Sequence, residues 1–97
     1  MIAVAVRCDG NGDDGWTCSV VLREHGLDLS THRVHVGPDD LARHAPGAND
    51  PTGLVKASFE FLLKREPPQS ILRSFDLMEI GRYFPEYEAE ILRRSRA

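Results

Sequence analysis

The sequence predicts an α+β fold: a three-stranded antiparallel meander at the N-terminus, one face of it covered by three to four C-terminal helices. Three observations predict it. Apolar residues alternate with a period of two through the first third of the chain, the mark of half-buried strands. After Pro38 the apolar spacing changes to three and four, the mark of amphipathic helices. A length of 97 residues suits one domain over residues 1–97.

The first strand is expected over residues 2–8, with Ile2, Val4, Val6 and Cys8 on one face. The second covers 16–23, with Trp16, Cys18, Val20 and Leu22 inward, and the third covers 31–36, where Val34 and Val36 share a face with His32. Leu27 and Leu29 have the opposite parity from Val34, so a bend or bulge is expected between them. The apolar sets fall on one side if Cys8 pairs with Trp16, Val6 with Cys18 and Val4 with Val20. The same logic pairs Leu22 with His32, Val20 with Val34 and Cys18 with Val36, because a one-residue slip would turn one set to water. In that register Cys8 and Cys18 are diagonal neighbours at about 7–8 Å, too far for an easy disulfide, and both are expected as reduced inward thiols.

Asp39 and Asp40 open a short helix over 39–44, and APGAND is a loop. Asp50 caps a helix over 51–65 with Pro51 in its first position. Leu54, Val55, Ser58, Phe59, Leu62 and Leu63 form its apolar stripe, and Pro67–Pro68 stop it. Ser70 caps a helical turn over 70–75. Asp76, with Glu79 three residues on, starts a helix over 77–83 in the manner of a capping box. Pro85 begins a last helix over 85–95, with Glu86, Glu88 and Glu90 early and Arg93, Arg94 and Arg96 late, as the helix dipole prefers. The expected core is Val4, Val6, Trp16, Val20, Val34, Leu54, Phe59, Leu62, Ile71, Phe75, Leu77, Ile80, Phe84 and Ile91.

The stretch SFEFLLKREPPQSILRSFDLMEIGRYFPEYEAEI resembles a group of small bacterial proteins of unknown function. The pattern is Phe75-Asp76-Leu77, Ile80, Tyr83-Phe84-Pro85 and Tyr87-Glu88, within roughly Leu54 to Ile91. The resemblance implies no catalytic residues and lowers the expectation of a standard enzyme.

DGNGDDG, Asp9 to Gly15, invites a calcium reading. Asp9, Asn11 and Asp13 supply oxygens at the first, third and fifth positions of a helix–loop–helix calcium loop. Asp14 stands where that loop needs Gly, and Val20 where it needs a bidentate Glu. The flanks read as strands, so the stretch is expected to be a hairpin turn, with Gly10, Gly12 and Gly15 supplying positive φ. No CxxC, HxxxH, GxSxG or glycine-rich phosphate loop occurs. Cys8 or Cys18 with His32 could form a nucleophile pair, but inward thiols on strands are usually inert. No metal site and no cofactor are expected.

The net charge of −3 argues against a dedicated nucleic-acid binder. The charge is uneven: four Arg against eight acids in residues 1–50, eight Lys and Arg against seven acids in residues 51–97. The outward face of the meander carries Arg7, Arg23, Arg33 and His35, with Thr17, Ser19 and Thr31 among them and no acid. Expected cross-strand neighbours are Arg7–Thr17, Ser19–His35 and Val21–Arg33. This face suits an acidic partner. It lacks the exposed aromatics on which single-stranded RNA stacks.

The favoured reading is a small non-enzymatic interaction or accessory module that uses the outer sheet face or an open edge strand. The partner would be another protein or a second copy in a homodimer. The alternatives are a nucleic-acid-associated protein using the Arg face and the tail LRRSRA, and a small enzyme with an unrecognised site. MIAVAVRCDG has no basic leader and no long apolar run. With two cysteines expected to be reduced, a cytoplasmic chain without a membrane span is expected.

Overall fold

The computed structural model describes residues 1–95. Its four-stranded sheet has the order β1-β2-β3-β4, formed by β1 (Ala3–Asn11), β2 (Gly15–Glu24), β3 (Leu27–Val36) and β4 (Ser74–Asp76). The first three strands are the expected antiparallel meander. The helices are α1 (Pro38–His44), α2 (Thr52–Leu63), α3 (Ile80–Tyr83) and α4 (Tyr87–Ser95). Short 3-10 turns occupy Pro68–Ser70 and Leu77–Glu79. No described helix is long and apolar enough to cross a membrane.

Period two holds through the sheet. Trp16, Cys18, Val20, Leu22, His32, Val34 and Val36 are all buried, while Thr17, Ser19, Arg23, Thr31, Arg33 and His35 are exposed. The inward row joins one apolar cluster with Leu54, Val55, Phe59, Phe61 and Leu62 of α2 and with Ile71, Phe75, Leu77, Ile80, Tyr87 and Ile91. Val4, Val6 and Phe84, expected in the core, are half-buried at its margin. Phe61 and Tyr87, not expected there, are buried and meet edge to face at 5.3 Å.

The register differs from expectation by two residues in both hairpins. Cys8 pairs with Cys18, Val6 with Val20 and Val4 with Leu22. Trp16 pairs with Val36, Cys18 with Val34 and Val20 with His32. A shift of two leaves every side chain on its face, so burial alone could not detect it; the turns decide the rung. In the first, Asn11 Oδ1 accepts from the amides of Asp13 and Asp14, both at 2.8 Å. This side-chain-capped turn closes the hairpin over three residues instead of seven. In the second, His25 (φ 55°) and Gly26 (φ 77°) form a two-residue turn with positive φ at both positions, the type that fits the twist of a hairpin. The expected bulge is present: Leu22 pairs with Ser30 and Arg23 with Asp28, leaving Leu29 unmatched.

The new rung overturns the expectation for the cysteines. Directly opposed, with Cα atoms 4.0 Å apart, Cys8 and Cys18 form a disulfide. Free thiols were expected partly because the wrong rung made the two residues diagonal, and partly because the sequence showed two cysteines and no basic leader.

A second correction concerns residues 70–75. They do not form a helical turn. The 3-10 turn comes earlier, and Ser74–Asp76 pair in parallel with Arg33–His35 as β4. Phe75 faces inward there, and the Arg33 amide donates to the Arg73 carbonyl at 2.7 Å. The β3 edge of the meander is thus partly covered, while among the described residues β1 pairs in the sheet with β2 alone.

The Asp76 cap follows the sequence, while the cap of α2 falls one residue later than expected: Pro51, not Asp50, is its N-cap, and the helix proper starts at Thr52. Asp50 Oδ1 accepts from the Thr52 amide at 2.9 Å, and this contact with Thr52 holds the Asp50 carboxyl below its usual range. Asp76 Oδ1 accepts from the Met78 amide at 3.0 Å, and Glu79 Oε2 accepts from the Asp76 amide at 3.3 Å, completing the expected box. Tyr87 ties α4 to α2. Ser58 Oγ donates to the Leu54 carbonyl at 2.7 Å and therefore accepts from the Tyr87 hydroxyl at 2.6 Å. Burial pushes the Tyr87 hydroxyl well above its ordinary pKa, so it stays a proton donor.

Candidate functional site

The outer face of the sheet is built by alternation. Each inward apolar residue on β1, β2 and β3 leaves its neighbours facing out, and the pairing sorts those neighbours into rows. One row is Arg7, Ser19, Arg33 and Ser74, one residue from each strand, all exposed. The next is Asp9, Thr17, His35 and Asp76. A third is Ala5, Val21 and Thr31. The expected neighbours Arg7–Thr17, Ser19–His35 and Val21–Arg33 are replaced by these rows, for the same two-residue reason.

The corrected rows put Arg7 and Arg33 on either side of Ser19. Adjacent strands lie about 4.8 Å apart, so the two arginine Cα atoms are separated by about 10 Å. Neither side chain makes an ion pair or hydrogen bond with a described residue. The small Ser19 between them leaves the two guanidinium groups free to converge on one anion or to meet two neighbouring ones. Arginine suits this role because its fork of N–H donors matches the two oxygens of a carboxylate or phosphate.

Arg23 is separate from this pair. Its Nε donates to Asp28 Oδ1 at 2.6 Å, at the rung where the bulge brings Asp28 opposite. Of the sequence-predicted site residues, Arg7, Arg33 and His35 share one end of the face. Arg23 lies toward the other, already neutralised.

The face also carries acid, contrary to expectation. The expected first strand ends at Cys8. The observed strand continues to Asn11, which puts Asp9 on the outer face, and β4 adds Asp76. Asp76 spends one oxygen on the Met78 amide. The face therefore has an arginine row beside a mixed row, and its positive character is local.

The other candidate chemistry is accounted for by structure. His32 bonds the Leu72 carbonyl through Nδ1 at 2.7 Å and Ser30 Oγ through Nε2 at 2.8 Å, and its ring lies 5.3 Å from that of Phe59. With both ring nitrogens engaged and both sulfurs in the disulfide, the Cys–His nucleophile pair is overturned. In the basic tail, Arg93 pairs with Glu90 at 2.8 Å and Arg94 with Glu60 at 3.1 Å; Arg96 lies outside the described residues. No buried side-chain polar atom lacks a partner among the described residues.

No family model, no curated protein and no solved structure matches this chain.

Proposed function

We propose that the protein is a small non-enzymatic interaction module whose outer sheet face docks an acidic surface of a partner protein, a second copy of this chain included. The observation that carries this reading is the exposed pair Arg7 and Arg33, flanking Ser19 and making no ion pair with any described residue. Thr17 and Thr31 add exposed hydroxyls around the pair, and His35 lies one row away. The module would read a carboxylate cluster by charge and by bidentate hydrogen bonds, with a rim of small side chains that permits close approach.

The nucleic-acid reading loses three of its cations, since Arg23, Arg93 and Arg94 are each paired with a carboxylate. The cytoplasmic placement loses one of its arguments as well. It rested in part on reduced thiols, and disulfides persist mainly in oxidising compartments.

The test is double charge reversal, Arg7→Glu with Arg33→Glu, assayed by calorimetric titration with a hexaglutamate peptide at low salt. Loss of binding is expected, with the thermal midpoint within about 4 °C of the parent, as for surface changes that touch no partner. Arg23→Glu is the control. It should weaken binding little and lower the midpoint instead, because it breaks a pair and opposes Glu to Asp28. Unchanged binding in the double variant, or its unfolding, would contradict the proposal.

A further inference from the structure

A cleft of about 380 Å³ opens between the C-terminal end of α2, the segment Ser70–Leu72, β4 and α3. That volume is within the roughly 300–1,000 Å³ of small-ligand sites. Its floor is Leu62, Ile71, Phe75 and Ile80, each at most 9% exposed. Its lips carry Leu72 and Tyr83, 50% and 69% exposed, two of the five large hydrophobics that the fold leaves open to water. None of the lining residues belongs to the arginine row of the outer sheet face.

The charge in the cleft is of one sign. Glu66 and Glu79 both line it, and no described Lys or Arg does. Glu79 uses one oxygen on the Asp76 amide and leaves the other free. Glu66 has no side-chain hydrogen bond or ion pair with a described residue. The nearby Arg65 is turned away: it pairs with Glu86 at 3.2 Å and stacks 3.7 Å above the Phe61 ring. An apolar floor with two carboxylates and no internal cation complements a ligand with a hydrophobic body and one positive end. A neutral apolar ligand would gain nothing from the two half-buried carboxylates, and an anion would be repelled.

We infer that this cleft binds a small hydrophobic amine, with its aryl or alkyl body on the Leu62–Phe75–Ile80 floor and its ammonium group held by Glu66 and Glu79. The site is independent of the sheet face, so either proposal can fail without the other.

The experiment titrates isotope-labelled protein with three probes that share one body: 4-phenylbutylamine, 4-phenylbutanol and 4-phenylbutyrate. The amine should give saturable amide shifts at Glu66, Ser70, Leu72 and Tyr83. The alcohol should bind at least about tenfold more weakly, the cost of one lost charge-assisted hydrogen bond, and the acid should not bind. Glu66→Gln with Glu79→Gln should lower amine affinity at least about tenfold and leave that of the alcohol unchanged. The side-chain amide introduced by Glu79→Gln keeps an oxygen for the Asp76 N–H, so the cap survives. If the variant fails to fold, the three probes on the unaltered protein still decide. Equal affinity for the three, no saturable shifts, or shifts outside the cleft would overturn the inference. So would binding of a Phe-Lys peptide without binding of the free amine.

Discussion

At the residue scale, two comparisons separate what a side chain does from what it resembles. Gly10 and Gly12 stand two apart in one glycine-rich turn, and their sequence context gives them equal roles. The structure does not. Gly10 has φ 139°, and a Cβ there would run into the Gly15 carbonyl oxygen and lie 2.8 Å from Trp16 Cα. At Gly12 φ is not positive, and nothing lies within 4 Å of an added Cβ. Gly10→Ala should cost more than about 2 kcal/mol and Gly12→Ala less than about 0.5 kcal/mol, read from urea midpoints. The second comparison is Ser58 with Tyr87. Tyr87→Phe leaves Ser58 bonded to Leu54 and should cost about 0.5–1.5 kcal/mol. Ser58→Ala strands the Tyr87 hydroxyl in the core and should cost more, about 1–3 kcal/mol. A larger loss in the tyrosine variant would show that the hydroxyl finds another partner.

At the element scale, parity was legible in the sequence and register was not. Alternation put Cys18, Val20, Val34 and Val36 on the correct face because burial has a period of two. The rung depends on turn geometry. That geometry rested on the Asn11 side chain and on a His25–Gly26 turn whose dipeptide is a weaker signal than Asn-Gly or Asp-Gly. The disulfide followed the rung. The fourth strand was illegible for another reason: three residues, Ser74–Asp76, are too few to show a period, and they pair with a distant part of the chain. The capping pair Asp76 and Glu79 was readable because caps act over two or three positions, whereas at α2 the cap fell on Pro51, one residue after the expected Asp50. The register makes a chemical prediction. Cys8 and Cys18 should react with a thiol reagent only after reduction. Reduction should lower stability by at most about 2–3 kcal/mol, because the closed loop is short and the turn already restrains it. Two rapidly labelled thiols in the unreduced protein would refute the pairing.

At the scale of the whole molecule, helices cover one sheet face and leave the other to water. The composition hinted at this, since the strands alternate fully instead of running apolar on both faces. The members of the outer face were mostly legible, but their grouping was not. The sequence placed Arg7, Arg23 and Arg33 together, and the structure divides them into a free pair and a neutralised one. It also adds Asp9 and Asp76, which arrived with a longer first strand and an unforeseen fourth. On the proposed reading, the free pair forms a local docking point for carboxylates. The most direct measurement maps amide shifts on the unaltered protein during titration with hexaglutamate, with a single-stranded oligonucleotide as the comparison. The account predicts saturable shifts for hexaglutamate centred on Arg7, Ser19 and Arg33, sparing Arg23 and weakening as salt rises. Shifts spread evenly over all arginines, or stronger binding of the oligonucleotide at the C-terminal helix, would contradict it.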